Sequence, residues 1–155
     1  MRSSPIEPGC SYILKEKSLR RCIKQFKELL SKGFKGLCIT KHKPEKLKKE
    51  YKLGIEIFQL NNKSGKYFLS PKNPAEIVDK IEKFTQSTER GIVLFEGLDK
   101  LIKTNNFLDT LTMLEDINDR IMSSDSGLIL AVDTSKFNKK ELAFLERNLE
   151  LFPTR

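Results

Sequence analysis

The chain has 155 residues, 38% of them hydrophobic and 32% charged, which suffices for one domain with its own core and excludes a disordered polymer, because apolar segments recur throughout. Its apolar runs are strand-sized, far below the ~20 residues of a spanning helix, and "MRSSPIEPGCSY" has no apolar stretch after its arginine. Neither a membrane span nor a secretory leader is expected, which makes a cytoplasmic protein the default. The net charge of +8 is unevenly held: residues 1–72 carry 18 Lys+Arg against 6 Asp+Glu, while residues 73–155 carry 11 against 15. That polarity suits an acidic partner for the first half or charge-guided self-association.

In chain order, "SYILK" (11–15) reads as a strand. Ser18 then stands as an N-cap before Leu19, Cys22, Ile23, Phe26, Leu29 and Leu30, whose spacing is helical, with Gly33 at the helix end. "GLCIT" (36–40) is the next strand. Pro44 opens a short helix through about Tyr51 that Gly54 closes, and "IEIFQL" (55–60) alternates like a strand. "NNKSGKYFLS" reads as a turn followed by a short extended piece. Asn73, Pro74 and Glu76 give a cap, an N1 proline and an N3 acid for a helix carrying Ile77, Val78, Ile81 and Phe84. A strand from about Gly91 to Phe95 precedes a longer helix with Phe107, Leu108, Leu111, Leu114, Ile117 and Ile121. "GLILAV" (127–132) is a buried strand, and Asn138 and Glu141 cap a last helix with Leu142, Leu145 and Leu149 on its stripe.

Strands and helices alternate, and the strands are apolar without polar alternation. The expected fold is α/β: three layers, α/β/α, with a mostly parallel central sheet of about five strands. The expected organisation is an N-terminal tail over 1–8, one domain over 9–152 and a C-terminal tail over 153–155.

Ligands of such sheets bind where strands end at their carboxyl side. Glu96 and Asp133 each follow an apolar run, as do the acids that arrange magnesium and water in nucleotide hydrolases. The phosphate cradle GxxxxGK[ST] is absent: between the first strand and first helix stands "SYILKEKSLRR", without a glycine. No NTP hydrolysis and no catalytic residues are expected. Glu96 also fits a helix-start acid, and Asp133 an Asx-type turn. Lys41, Glu96 and Asp133 are the candidate ligand-binding residues at strand ends. The lone His42 lies in a lysine-rich loop and reads as solvated. Cys10, Cys22 and Cys38 have no ligand spacing, so no metal and no cofactor are expected, and Cys22 and Cys38 read as buried hydrophobes. "KHKPEKLKKEYK" (41–52) carries six lysines. Its Lys43, Lys46, Lys48, Lys49 and Lys52 form a candidate basic patch, either a solvated helix face or a contact to phosphates.

The segments "GCSYILKEKS", "GFKGLCITKHKPEKLKKEYKLG", "GIVLFEGLDKLIKTNNFLDTLTMLEDIND" and "GLILAVDTSKFNKKELAFLERNLELF", in that order over about residues 9–152, resemble the archaeal family called domain of unknown function 835. That family often has arginine where Lys41 stands and aspartate where Glu96 stands. The resemblance implies a RecA/KaiC-like P-loop NTPase-type core without a Walker A loop. Its relatives are often fused to sensory or response-regulator modules, which implies signalling, and it brings no catalytic residues. The resulting expectation is a non-catalytic regulatory domain acting through a protein partner or self-association. The alternatives are a weak nucleotide-binding sensor without hydrolysis, using Lys41, Glu96 and Asp133, and a nucleic-acid-associated basic protein.

Overall fold

A computed structural model describes residues 6–153. The chain runs β1 (Ser11–Lys15), α1 (Leu19–Ser31), β2 (Lys35–Thr40), α2 (Pro44–Tyr51), β3 (Glu56–Leu60), β4 (Phe68–Leu69) and α3 (Pro74–Gln86). It continues through β5 (Gly91–Glu96), α4 (Leu98–Thr104), α5 (Phe107–Met122), β6 (Gly127–Val132), a 3-10 turn (Thr134–Lys136), α6 (Lys139–Glu146) and β7 (Glu150–Leu151). All the strands join one sheet in the order β4-β3-β2-β5-β6-β1-β7, and every pairing is parallel. The chain first builds outward through β2, β3 and β4, then returns to set β5 and β6 between β2 and β1.

Helices cover both faces, so each strand is buried twice and reads as a continuous apolar run. Because successive side chains point to opposite faces, Ile13, Val93, Phe95 and Leu130 lie under α3, α4 and α5, where Ile77, Ile81, Leu101 and Ile117 meet them. Tyr12, Leu14, Leu94 and Ile129 lie under α1 and α2, where Cys22, Ile23, Phe26 and Leu47 meet them. The structure is a three-layer α/β/α fold with a parallel sheet. Among the described residues no helix is long and apolar enough to cross a membrane.

Several expectations need correction. The sheet has seven strands rather than about five. The two additions are edge pieces of two residues each: β4, where only a short extended piece was expected, and β7, both too short to carry a period. The last helix ends at Glu146, and Leu149 lies beyond it in the approach to β7. An additional helix, α4, precedes α5, and Asn106 separates them by accepting the Asp109 backbone N–H. Helix α2 is closed by Lys52 in the left-handed region (φ 55°), not by Gly54. Helix α3 begins as expected after Asn73, but the Asn73 side chain makes no cap bond; its carbonyl accepts from the Glu76 N–H.

Most of the expected terminal tails, residues 1–5 and 154–155, lies outside the described residues. Two residues of that N-terminal segment, Ile6 and Glu7, touch the domain. Ile6 is buried, and the Glu7 N–H donates to the Tyr12 hydroxyl at 2.6 Å. Ser18 does cap α1, accepting from the Arg21 N–H, and Asn138 and Glu141 form a reciprocal capping box at α6.

Candidate functional site at the strand ends

The carboxyl ends of β1, β2, β5 and β6 surround a small pocket of about 230 Å3. Its walls come from the loops after each strand: Glu16 and Lys17, Lys41 and His42, Glu96 to Asp99, and Asp133 with Lys136 and Phe137. The three strand-end candidates, Lys41, Glu96 and Asp133, therefore share one pocket. They do not form one constellation, because each is held by a different partner.

Glu96 ends the central strand β5 with its side chain 15% exposed. One carboxylate oxygen accepts the Thr40 hydroxyl at 2.6 Å, and His42 Nε2 lies 3.5 Å from the same oxygen. Thr40 Oγ1 in turn accepts the His42 backbone N–H at 3.1 Å, which closes a compact cluster across β2 and β5. Burial pushes the Glu96 carboxyl up, but the contacts from His42 and Thr40 outweigh it and hold the group below the ordinary glutamate value. Two expectations fall here. Glu96 does not cap the following helix, since Gly97 stands at that N-cap without any side-chain bond. His42 is not simply solvated; it faces Glu96.

Lys41 reaches Asp99 at 3.0 Å, and Lys136 approaches the same oxygen at 3.4 Å. Burial works to lower the lysine value and to raise the aspartate value. The pairing wins on both sides, so Lys41 sits above its ordinary value and Asp99 below. Asp133 makes the expected Asx turn, accepting the Ser135 hydroxyl at 2.7 Å and its N–H at 3.0 Å, and those bonds hold it below the usual aspartate value.

Glu16 was not singled out by sequence reasoning. Its carboxylate accepts the Ser18 N–H at 3.1 Å and lies 3.8 Å from Arg21. The start of α1, where a phosphate would be received in a nucleotide-binding sheet, thus carries a side-chain acid of the same chain. The local signal was an acid two residues before a serine cap.

Burial, then the charges of Glu16 and Glu96, push the Cys22 thiol at the pocket wall up to about 12, which leaves little thiolate at neutral pH. Cys38 is fully buried and is raised for the same first reason. Among the described residues no group of three or more His, Cys, Asp or Glu side chains is placed to hold a metal ion. Lys43, Lys46, Lys48, Lys49 and Lys52 all lie outside the pocket, exposed on and beside α2.

The depressed carboxyl groups of Glu96 and Asp99 make stability pH-dependent. Their folded values lie below the unfolded ones, near 4, so their stabilisation is complete above the unfolded values and is lost as pH falls through the folded values. Denaturant midpoints are expected to be flat from neutrality to about pH 5 and to fall below it. The double variant Glu96→Gln, Asp99→Asn should show a shallower acid decline; an unchanged decline would place the titrating groups elsewhere.

The fold and the family are both visible in comparison with other proteins. A solved protein of Pyrococcus horikoshii OT3, known from a structural study, superposes with a TM-score of 0.64 at 10% identity, covering 93% of this chain and 80% of that one. At that identity the likeness is one of fold. No curated protein matches the chain. The sequence pattern of the family described as "Protein of unknown function (DUF835)" matches residues 15–149, and the chain belongs to that family.

Proposed function

We propose that the chain is a non-catalytic regulatory interaction domain, of archaeal signalling type, on a KaiC/RecA-like core whose nucleotide position is filled by the protein's own side chains. The observation that carries this reading is the start of α1. No glycine exposes backbone N–H groups there, and Glu16 takes the Ser18 N–H that an incoming phosphate would need. The remaining electrostatics agree. Lys41 and Lys136 both converge on Asp99, so two of the three lysines that line the pocket already have a carboxylate.

The strand order supports the ancestry. With β6 beside β1 and β5 next in line, Asp133 and Glu96 share the pocket with the loop after β1, an arrangement a hydrolase uses to bring acids to bound phosphates. Without preorganised donors, charge developing on a transferring phosphoryl group has nothing to stabilise it. Incubation with ATP and magnesium is expected to release phosphate no faster than buffer alone. Turnover that disappears in Glu96→Gln would overturn the reading and restore an active nucleotide site.

A further inference from the structure

The excess of positive charge in the first half of the chain becomes spatial on folding. Residues 1–72 supply α1 and α2, which together cover one face of the sheet, while α3, α4, α5 and α6 cover the other. On α1, Arg20, Lys24 and Lys27 stand at i, i+4 and i+7, a stripe roughly 10 Å long on one exposed side. Between that stripe and α2 runs an open groove of about 850 Å3, lined by Arg20, Arg21, Lys24, Lys27 and Tyr51, with Glu28 as its single acid. Lys27 Nζ donates to the Tyr51 carbonyl at 2.8 Å and ties the two helices together at the groove.

These cations are available. Arg20, Lys24, Lys46, Lys49 and Lys52 make no ion pair among the described residues, and Arg21 is only 3.8 Å from Glu16 with its side chain 75% exposed. Glu45 and Glu50 on α2 temper the charge without pairing to it. Beyond α2, Tyr67 is 37% exposed with Lys48 and Lys66 over its ring at 5.7 and 5.3 Å, which adds a second aromatic among cations.

We propose that the α1–α2 face binds the phosphate backbone of nucleic acid without sequence preference. Three features select this polyanion. Protein interfaces are depleted of lysine and centred on apolar side chains, whereas the exposed large hydrophobics Leu108, Met122 and Leu151 all lie on α5 or β7, away from this face. Membrane-surface helices need an apolar side to insert, and the apolar residues of α1 and α2 are turned into the core. A cationic groove with Tyr51 in its wall, and Tyr67 among lysines beyond α2, is the composition that tracks a phosphodiester chain while offering rings for stacking. This inference is independent of the strand-end pocket, and a different experiment tests it.

That experiment measures anisotropy of a labelled oligothymidine of about 20 nucleotides, and of a duplex of the same length, with the full chain at about 50–200 mM salt. The expected dissociation constant is on the order of 10⁻⁴–10⁻⁶ M, with a logarithmic salt slope of about −3 for the strand if four cations each meet one phosphate. The triple variant Arg20→Gln, Arg21→Gln, Lys24→Gln should weaken binding at least ~10-fold and reduce the slope by about 2. A control triple, Lys103→Gln, Lys139→Gln, Lys140→Gln, removes the same charge from exposed positions on the other layer and should leave affinity within about 2-fold. Equal losses in the two triples would overturn the assignment to this face. So would the absence of salt-dependent binding to either oligonucleotide, or binding to phosphatidylserine vesicles alone.

Discussion

Replacing Phe95 by alanine is expected to lower the free energy of unfolding by about 3–5 kcal/mol, the range for a fully buried phenylalanine. Phe95 has no exposed surface. It stands in the central strand β5, paired to Ile39 of β2 on one side and Leu130 of β6 on the other, in the cluster that α3, α4 and α5 cover. Parallel strands on both sides limit how far the backbone can close on the void, so both the lost transfer energy and the cavity are felt. For a chain of this length the loss corresponds to a fall of roughly 6–20 °C in Tm. The variant Leu108→Ala, at a site 70% exposed, should stay within about 0.5 kcal/mol of the parent. Denaturant unfolding monitored by circular dichroism compares the two. A loss below about 1 kcal/mol at Phe95 would contradict its place in the packed centre of the sheet.

Gly97→Ala is expected to cost about 2 kcal/mol or more, although it adds a single methyl group. Gly97 has φ 118°, a conformation that side chains disfavour, and a Cβ built there would lie 3.1 Å from both the backbone nitrogen and the Cβ of Lys41. The backbone nitrogen cannot swing away as a flexible side chain would. Relief therefore requires β2 and β5 to part at the position where Thr40 meets Glu96 and Lys41 meets Asp99. A useful contrast is Gly54→Ala. Gly54 has ordinary φ and nothing within 4 Å of its added Cβ, so that change should be neutral or stabilise by about 0.4–1 kcal/mol through the unfolded chain. Denaturation midpoints of the two variants moving alike would show that Gly97 is not strained by its neighbours.

The central strands and helices α1, α3 and α5 were legible because each has an apolar repeat long enough to count. Phe26 and Leu29 on α1, and Ile77 and Ile81 on α3, fall where helical spacing places them. The edge piece β4 was legible only as a short extended piece without a place in the sheet, and β7 was not legible, since two residues carry no period. The break between α4 and α5 was readable in principle: Asn106 and Asp109 repeat the cap spacing recognised at Asn138 and Glu141.

For the site, the strand ends gave the positions of Lys41, Glu96 and Asp133 but only one local contact, the Asx turn at Asp133, which Ser135 completes. Thr40 and Glu96 are 56 residues apart and Lys41 and Asp99 are 58 apart. Pairings at such distance depend on which strands become neighbours. Until β5 is known to lie beside β2, Glu96 has no reason to find Thr40 or His42 rather than the helix that follows it. The same holds for the α1–α2 groove. The lysines of 41–52 were visible as a run, but Arg20 and Lys24 join them only because the two helices cover the same face.

Under the proposed function, the strand-end pocket is closed to nucleotide by Glu16 at α1 and by the convergence of Lys41 and Lys136 on Asp99. Isothermal titration of the protein with ATP and ADP, each with magnesium, tests it most directly. No saturable heat is expected up to about 1 mM ligand, an affinity of only about −4 kcal/mol. Saturable binding tighter than that, lost in both Lys41→Ala and Glu96→Gln, would contradict the claim and make the pocket a nucleotide sensor.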